Sequence, residues 1–455
     1  MKQSICLMSL FLLCGCTFIP DYQRPSMDIP GQWNNQAIGY SSDIAAQDWW
    51  MSFGSVELNQ LMDEALSHNH DVLAGIQRVK QARANLKIAR ADFFPNINAS
   101  ADASRVHSHP AKASAIDSTN LQAGLSIAYE LDLFGANRSN VAAAGASLHA
   151  SQYDEDALAL VVMSDVAQTY FLLLNLQERL AIANTNLNNA KEVLRIISAR
   201  VREGAESDLE LAQQSVLVAN NEAARSLLIE QLQNSQNALA VLLGKTPQAL
   251  NIKEYSLAVL TVPVIFSKQP SELLERRPDI KAAEASLVAA NANIGVARAA
   301  FFPSISLGLA NNISAAGFHE PVTRSLSLTS SLGMPLFQGG RIKGGVELAT
   351  ARQRELVEIY RKTVLTAFQE VEDALVAVKT AQDREDVLEI AMQQARKAYQ
   401  LSKRKYDLGA IDFQTLLDTQ NAQLSAEDSF AQAKLSRLTT AVTLFKALGG
   451  GWKES

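Results

Sequence analysis

The sequence predicts a mixed α and membrane-β chain: four membrane β-strands that contribute to a barrel shared between chains, carried on very long coiled-coil helices and arranged as two internal repeats. Three observations predict it. The segment Ala89-Arg90-Ala91-Asp92-Phe93-Phe94-Pro95 returns as Ala297-Arg298-Ala299-Ala300-Phe301-Phe302-Pro303, and a recurrence of that kind fixes architecture before any local reading does. Short alternating stretches follow each copy. Finally, no proline lies between Pro110 and Pro247 or after Pro335, which leaves room for uninterrupted helices.

The chain opens with a charged Lys2, an apolar run from Ile5 to Leu13 and a small residue at Gly15, the pattern of a secretion signal over 1–15. That run is too short to span a bilayer. Leu13-Cys14-Gly15-Cys16 resembles a bacterial lipobox, so a covalent lipid is expected on Cys16 and no other cofactor; a plain signal peptide cut elsewhere is the alternative. Cys6, Cys14 and Cys16 are the three cysteines, so such cleavage leaves no thiol for an internal disulfide. Residues 16–55 are then a lipid-anchored segment and part of an equatorial collar, completed by the proline-broken insertion 244–270. The first repeat covers 56–243, the second 271–449, and 450–455 is a tail.

In each repeat a helical stretch, Val56–Asp92 or Ser271–Ala300, runs into the Phe-Phe-Pro stop, because proline cannot continue a helix. Beyond it the period becomes two. Leu121, Ala123, Leu125, Ile127, Tyr129 and Leu131 alternate with a mainly polar set; Ile305, Leu307, Leu309, Leu326 and Leu328 repeat this less cleanly. Alternation over about ten residues marks a membrane strand, though these residues alone fit a soluble hairpin equally well. Four strands cannot close a barrel, since open edges in lipid leave backbone groups unpaired. Several chains must therefore share one. The polar loops are expected from Arg105 to Thr119 and from Asn311 to Arg324, and no later stretch reads as an apolar spanning helix.

Helices of roughly 100 Å are expected from Gly135 to Gly204 and from Gly340 to Gly409, at about 1.5 Å per residue. Their returns reach only Gly244 and Gly449, so each needs a second piece: Ser271–Ala300 for the first return and Val56–Asp92 for the second. Val166, Leu173, Leu180, Leu187, Leu194 and Val201 recur every seven residues, a left-handed coiled-coil seam.

The formal charge of −6 without a basic run excludes nucleic acid as a partner. Gly339-Gly340-Arg341-Ile342-Lys343-Gly344-Gly345 lacks the Gly-Lys-Ser/Thr of a phosphate loop. His68 and His70 point to different faces of a helix. His107 and His109 can share a strand face, where a surface loop is the plainer reading. Asp154, Glu155 and Asp156 read as a solvated face. No enzyme is expected, and no metal.

With these elements in place, Leu274-Glu275-Arg276-Arg277-Pro278-Asp279-Ile280, Arg298–Pro303, Pro335-Leu336-Phe337-Gln338-Gly339-Gly340-Arg341, Leu416-Leu417-Asp418 and Pro20-Asp21-Tyr22-Gln23-Arg24-Pro25 resemble the TolC-like outer-membrane efflux proteins, in their lipoprotein NodT or OprM-type branch. The resemblance covers nearly the whole chain. It implies a homotrimer with a twelve-stranded barrel and a twelve-helix periplasmic tunnel. It also implies a periplasmic adaptor (membrane fusion protein), an inner-membrane pump of the RND or a similar class, contact with outer-membrane lipid, and export of drugs or other small toxic compounds. A type I protein-secretion duct, a periplasmic adaptor and a structural coiled-coil lipoprotein are the alternatives. The resemblance places a periplasmic gate around the turn at Gly409, with Lys405 and Tyr406 before it and Asp418 after it; Gly204 is the matching helix-tip turn, and the spacing of Gln414, Asp418, Asn421 and Ser425 puts them on one polar stripe of the returning helix. Lys405 stands where the family has arginine, and Gln414 where leucine is common. An acidic ring of Asp418 is therefore expected, with an ion pair to Lys405 as the competing arrangement.

Overall fold

The computed structural model describes residues 17–35, 48–109, 116–253, 256–263 and 269–450. Cys16 and the signal segment lie outside the described residues, as do parts of the expected collar. The chain forms two compact units, one of residues 1–26, 78–152 and 282–361, the other of 27–77, 153–281 and 362–455.

In the first unit, four antiparallel strands stand in chain order: β1 (Asn96–Ser108), β2 (Ile116–Leu131), β3 (Ser304–Ala315) and β4 (Thr323–Gly333). Register pairs such as Leu125 with Asn311 and Leu309 with Leu328 put Ile97, Leu125, Leu309 and Leu328 on one face, because side chains alternate. Asn98, Gln122, Asn312 and Thr329 take the other. Leu326, Leu328 and Leu332 are exposed, and the outer edges of β1 and β4 carry no partner among the described residues. The expected polar loops prove shorter. The strands run through Arg105, His107, Asp117 and Thr119, and from Asn311 to Ala315, since cross-strand pairing holds polar residues in register as readily as apolar ones.

Each hairpin is entered from a helix, α2 (His70–Ala91) or α6 (Pro278–Ala299), stopped at Pro95 or Pro303. Here the start of the described chain is strapped down. Phe18 stacks on Phe302 at 4.3 Å, the Asn291 amide donates to the Pro20 carbonyl, and Glu284 accepts from both Tyr22 and Arg24. Gly295 is required, for a Cβ would press on Ile19. Burial, then the adjoining Glu284 charge, pushes the Tyr22 hydroxyl well above its ordinary pKa.

The longest helices among the described residues are α3 (Ala136–Arg202), α4 (Asp208–Leu242), α7 (Arg341–Asp407) and α8 (Phe413–Ala447). Asp132 caps α3, accepting from the Asn137 and Arg138 amides. At 67 residues each, α3 and α7 are about 100 Å long. Along the heptad seam Val166, Leu173 and Leu187 are buried, while Leu180, Leu194 and Val201 are half-buried. One expectation fails: α3 is long and apolar enough to pass for a spanning helix. Asp165 interrupts that stretch in the sequence, but Met163, Val166, Phe171 and Leu174 are buried in the second unit. There Phe53 packs on Phe171 at 5.1 Å and Trp49 on Phe445 at 5.3 Å. The two irregular segments also meet, for Thr261 donates backbone and hydroxyl hydrogen bonds to Phe53 and Ser52.

The composite returns are spliced differently from the expectation. α1 (Val56–His68) and α5 (Leu273–Arg276) end one residue before α2 and α6, at Asn69 and Arg277. The Asn69 amide donates to the Leu242 carbonyl at 2.9 Å, and Arg277 to the Ala447 carbonyl at 3.1 Å. So the end of α4 meets the α1–α2 joint and the end of α8 meets the α5–α6 joint. Each return is completed from its own repeat. Length could not reveal this, because α2 and α6 both have 22 residues.

Candidate functional site

The two helical hairpins of the second unit turn on one backbone device. At the end of α3, Gly204 adopts φ +76°, and Gly204 and Ala205 donate to the Val201 and Arg200 carbonyls. At the end of α7, Gly409 adopts φ +71°, and Gly409 and Ala410 donate to Tyr406 and Lys405. This pair of bonds satisfies carbonyls that a helix end leaves open, and glycine takes the left-handed conformation without a Cβ clash. The next helices start on polar caps. Ser207 and Glu210 form a reciprocal pair at α4, and Asp412 accepts from the Thr415 amide at α8.

The hairpins are welded just behind the turns. Val193, Ile197, Tyr399, Tyr406, Phe413 and Leu416 form one buried cluster, and Leu417 and Leu424 pack against a second with Leu187 and Leu217. At its edge sits a polar latch. The Tyr406 hydroxyl donates to Glu206 at 2.8 Å, Arg200 approaches the same carboxylate at 3.5 Å, and its guanidinium lies 4.6 Å from the Tyr406 ring centre. Burial, then the hydrogen bond to Glu206, pushes the Tyr406 hydroxyl up to about 12, so it remains a neutral donor. Tyr399, also pushed up by burial, keeps its hydroxyl buried without a hydrogen-bond partner.

The expected gate residues divide between two environments. Tyr406 belongs to the welded core and Lys405 is exposed. Gln414, Asp418 and Asn421 form an exposed stripe on α8, as their spacing requires. Asp418 accepts from the Gln414 amide at 2.8 Å, and no ion pair joins it to Lys405 among the described residues. Sequence reasoning missed Glu206 and Arg200. Their only signal was the turn beside Gly204, for their partner Tyr406 lies 200 positions away.

Farther up the helices a second polar junction crosses the packing. Glu427, only 5% exposed, accepts from Arg396 of α7 at 2.6 Å, from Asn186 of α3 at 2.9 Å and from Gln423 at 3.0 Å. Burial raises its pKa, but these three donors outweigh burial and hold it below the usual glutamate value. Among the described residues no group of three His, Cys, Asp or Glu could by itself hold a metal ion.

A face of apolar strand residues, long hairpins of equal span and latched turns define a channel-forming outer-membrane chain. The family model for the outer membrane efflux protein matches residues 61–245 and 269–450, and the chain belongs to that family. It is an efflux channel of the outer membrane. Over its whole length it is 40% identical to the pyoverdine export outer membrane protein OpmQ of Pseudomonas putida, covering 98% of that protein. It is 34% identical to the outer membrane protein OprJ of Pseudomonas aeruginosa, over 98% of this chain and 95% of that one. Among solved structures, the open state of the Neisseria gonorrhoeae MtrE outer membrane channel superposes with a TM-score of 0.87 at 30% identity, over 96% of this chain and 98% of that chain.

Proposed function

We propose that this chain is the passive exit duct of a tripartite efflux system, assembled as a homotrimer with a periplasmic adaptor and an inner-membrane pump of the RND or a similar class. The observation that carries the proposal is the sheet: one apolar exposed face and two edges, β1 and β4, unpaired among the described residues. In lipid, unpaired edges are tolerated only when closed, and β1 of one copy closing on β4 of the next pairs both. Three copies give twelve strands. A lipid on Cys16 adds an anchor, and the duct itself carries out no catalytic step.

The substrate is a small molecule, and the relatives narrow its class. Two chains at 40% and 38% identity are named for pyoverdine export, whereas those named for solvent or toluene efflux stand at 33%. This difference favours pyoverdine or a compound like it over a solvent. Deleting the gene should leave pyoverdine in the periplasm of a producing strain; unimpaired secretion would overturn the assignment.

Gating follows from the tips. The Tyr406–Glu206–Arg200 latch holds one hairpin on the other, so opening requires its release, while Asp418 on the exposed stripe presents like charges to a threefold axis and selects cations. Single-channel recording of Glu206→Gln should give raised basal conductance. A wild-type trace would separate the latch from the gate. Cys16→Ser should lose palmitate incorporation, and retained label would remove the anchor.

A further inference from the structure

At the end of the β1–β2 hairpin farthest from the helices, three groups stand together for which export has no use. His107 and Asp117 are cross-strand partners, and the ring of His109, the first residue beyond β1, lies against that of His107. The His107 Nδ1 lies 2.5 Å from an Asp117 carboxylate oxygen. That carboxylate can only accept, so Nδ1 carries the hydrogen and the lone pair of a neutral ring is left on Nε2. The His107 Nε2 is directed at the His109 Nε2, 2.8 Å away, and the two rings stand perpendicular, 4.5 Å between centres. Two imidazole nitrogens thus converge, one of them oriented by a carboxylate. This is how proteins prepare a histidine for a metal: the far nitrogen donates to an acidic group, which fixes ring and tautomer and raises basicity.

We infer that His107 and His109 form a two-nitrogen site for a divalent transition-metal ion, with Asp117 as the positioning residue. The spacing selects among ions. With metal–nitrogen bonds of about 2.0 Å, nitrogens 2.8 Å apart subtend nearly a right angle, narrower than a tetrahedral ion prefers. Cu(II) and Ni(II) take tetragonal nitrogen and oxygen sets with such angles, and Cu(II) heads the affinity series. Water fills the other positions, since both His107 and Asp117 are more than half exposed. On binding, the hydrogen that His109 holds on Nε2 passes through water to its own Nδ1, so both Nε2 lone pairs meet the ion, which cross-braces the hairpin end. Asp117 does not itself ligate, which is why the site differs from a convergent three-ligand cluster. The inference depends on the hairpin alone and stands whatever the duct exports.

The test is titration of the full-length protein in detergent with Cu(II) and Zn(II), read by calorimetry and by electron paramagnetic resonance. One Cu(II) per chain is expected, with coupling to two equatorial nitrogens and weaker binding of Zn(II). His109 lies beyond the strand, so His109→Ala leaves the sheet intact; it should lower Cu(II) affinity at least tenfold and reduce the coupling to one nitrogen. Asp117→Asn should weaken binding by about 10- to 100-fold with both nitrogens retained, the range typical of orienting partners. The remaining four histidines, His68, His70, His149 and His319, are a background common to all variants. Unaltered Cu(II) affinity in either variant, or Zn(II) binding tighter than Cu(II), overturns the site.

Discussion

The two repeats place their long helices 205 positions apart, with α3 and α7 both of 67 residues and α4 and α8 both of 35, yet equivalent positions carry different chemistry. At the first tip stand Arg200, Val201 and Glu206; at the second, Lys405, Tyr406 and Ile411. The first supplies the charges and the second the phenol and the apolar surface, so the latch exists only between unlike tips. Higher up, Glu222 and Glu427 are equivalent too. Glu222 meets Lys191 at an exposed position, whereas Glu427 is buried among three donors. Duplication supplied the frame, and divergence supplied the contacts between its halves.

Matched substitutions sharpen this contrast. Glu427→Ala should cost about 3 kcal/mol, the lower end for breaking a buried pair, because Arg396 is itself half exposed. Glu222→Ala should cost less than about 1 kcal/mol, as exposed pairs do; equal losses in thermal melts would abolish the distinction. The Glu427 contribution also has a pH sign. Its folded pKa lies below the ordinary glutamate value, so the contribution is present above that ordinary value and is lost as pH falls through the lower folded one. Melting temperatures should therefore drop more steeply in acid for wild type than for Glu427→Gln.

A second matched pair uses glycines of like backbone. Gly204→Ala places a Cβ in open space at φ +76° and should cost about 1–2 kcal/mol. Gly244→Ala, at φ +66°, drives its Cβ into the His68 carbonyl at the α1–α2 joint and should cost more; equal melts would contradict the splice. Smaller still, Tyr406→Phe should leave folding nearly intact and raise basal conductance, while Val201→Thr, at the equivalent position, leaves conductance unchanged. The smallest effect expected is for Asp418→Ala, with altered cation selectivity and no change in oligomer or melt. Identical selectivity would remove Asp418 from the pore.

What the sequence disclosed follows from the range of the interactions involved. Phe-Phe-Pro stops, the turn glycines and the alternation around Leu125 are written within a few residues, and each is where the reading placed it. The strand ends misled because His107 and Asp117 are polar, although their pairing is as regular as that of Leu125. The splice was hidden by the equal lengths of α2 and α6. Glu206 was hidden because its role is set by a residue in the other repeat. For α3, a single Asp165 disguised a stretch whose apolar character reflects a crowded core.

The equal helix lengths also act as a pair of calipers. Since each hairpin descends by 67 residues before its glycine, a heptad added to α3 alone would leave its tip about 10 Å below the other, carrying Glu206 out of reach of Tyr406. Length can therefore change only when all the rods change together. Residues can be gained one hairpin at a time in the sheet, where the offset between repeats passes from 208 positions at the starts of β1 and β3 to 205 at the starts of α3 and α7. Variation in length is confined to the strands of the first unit, and the turns of the second are held to a common level.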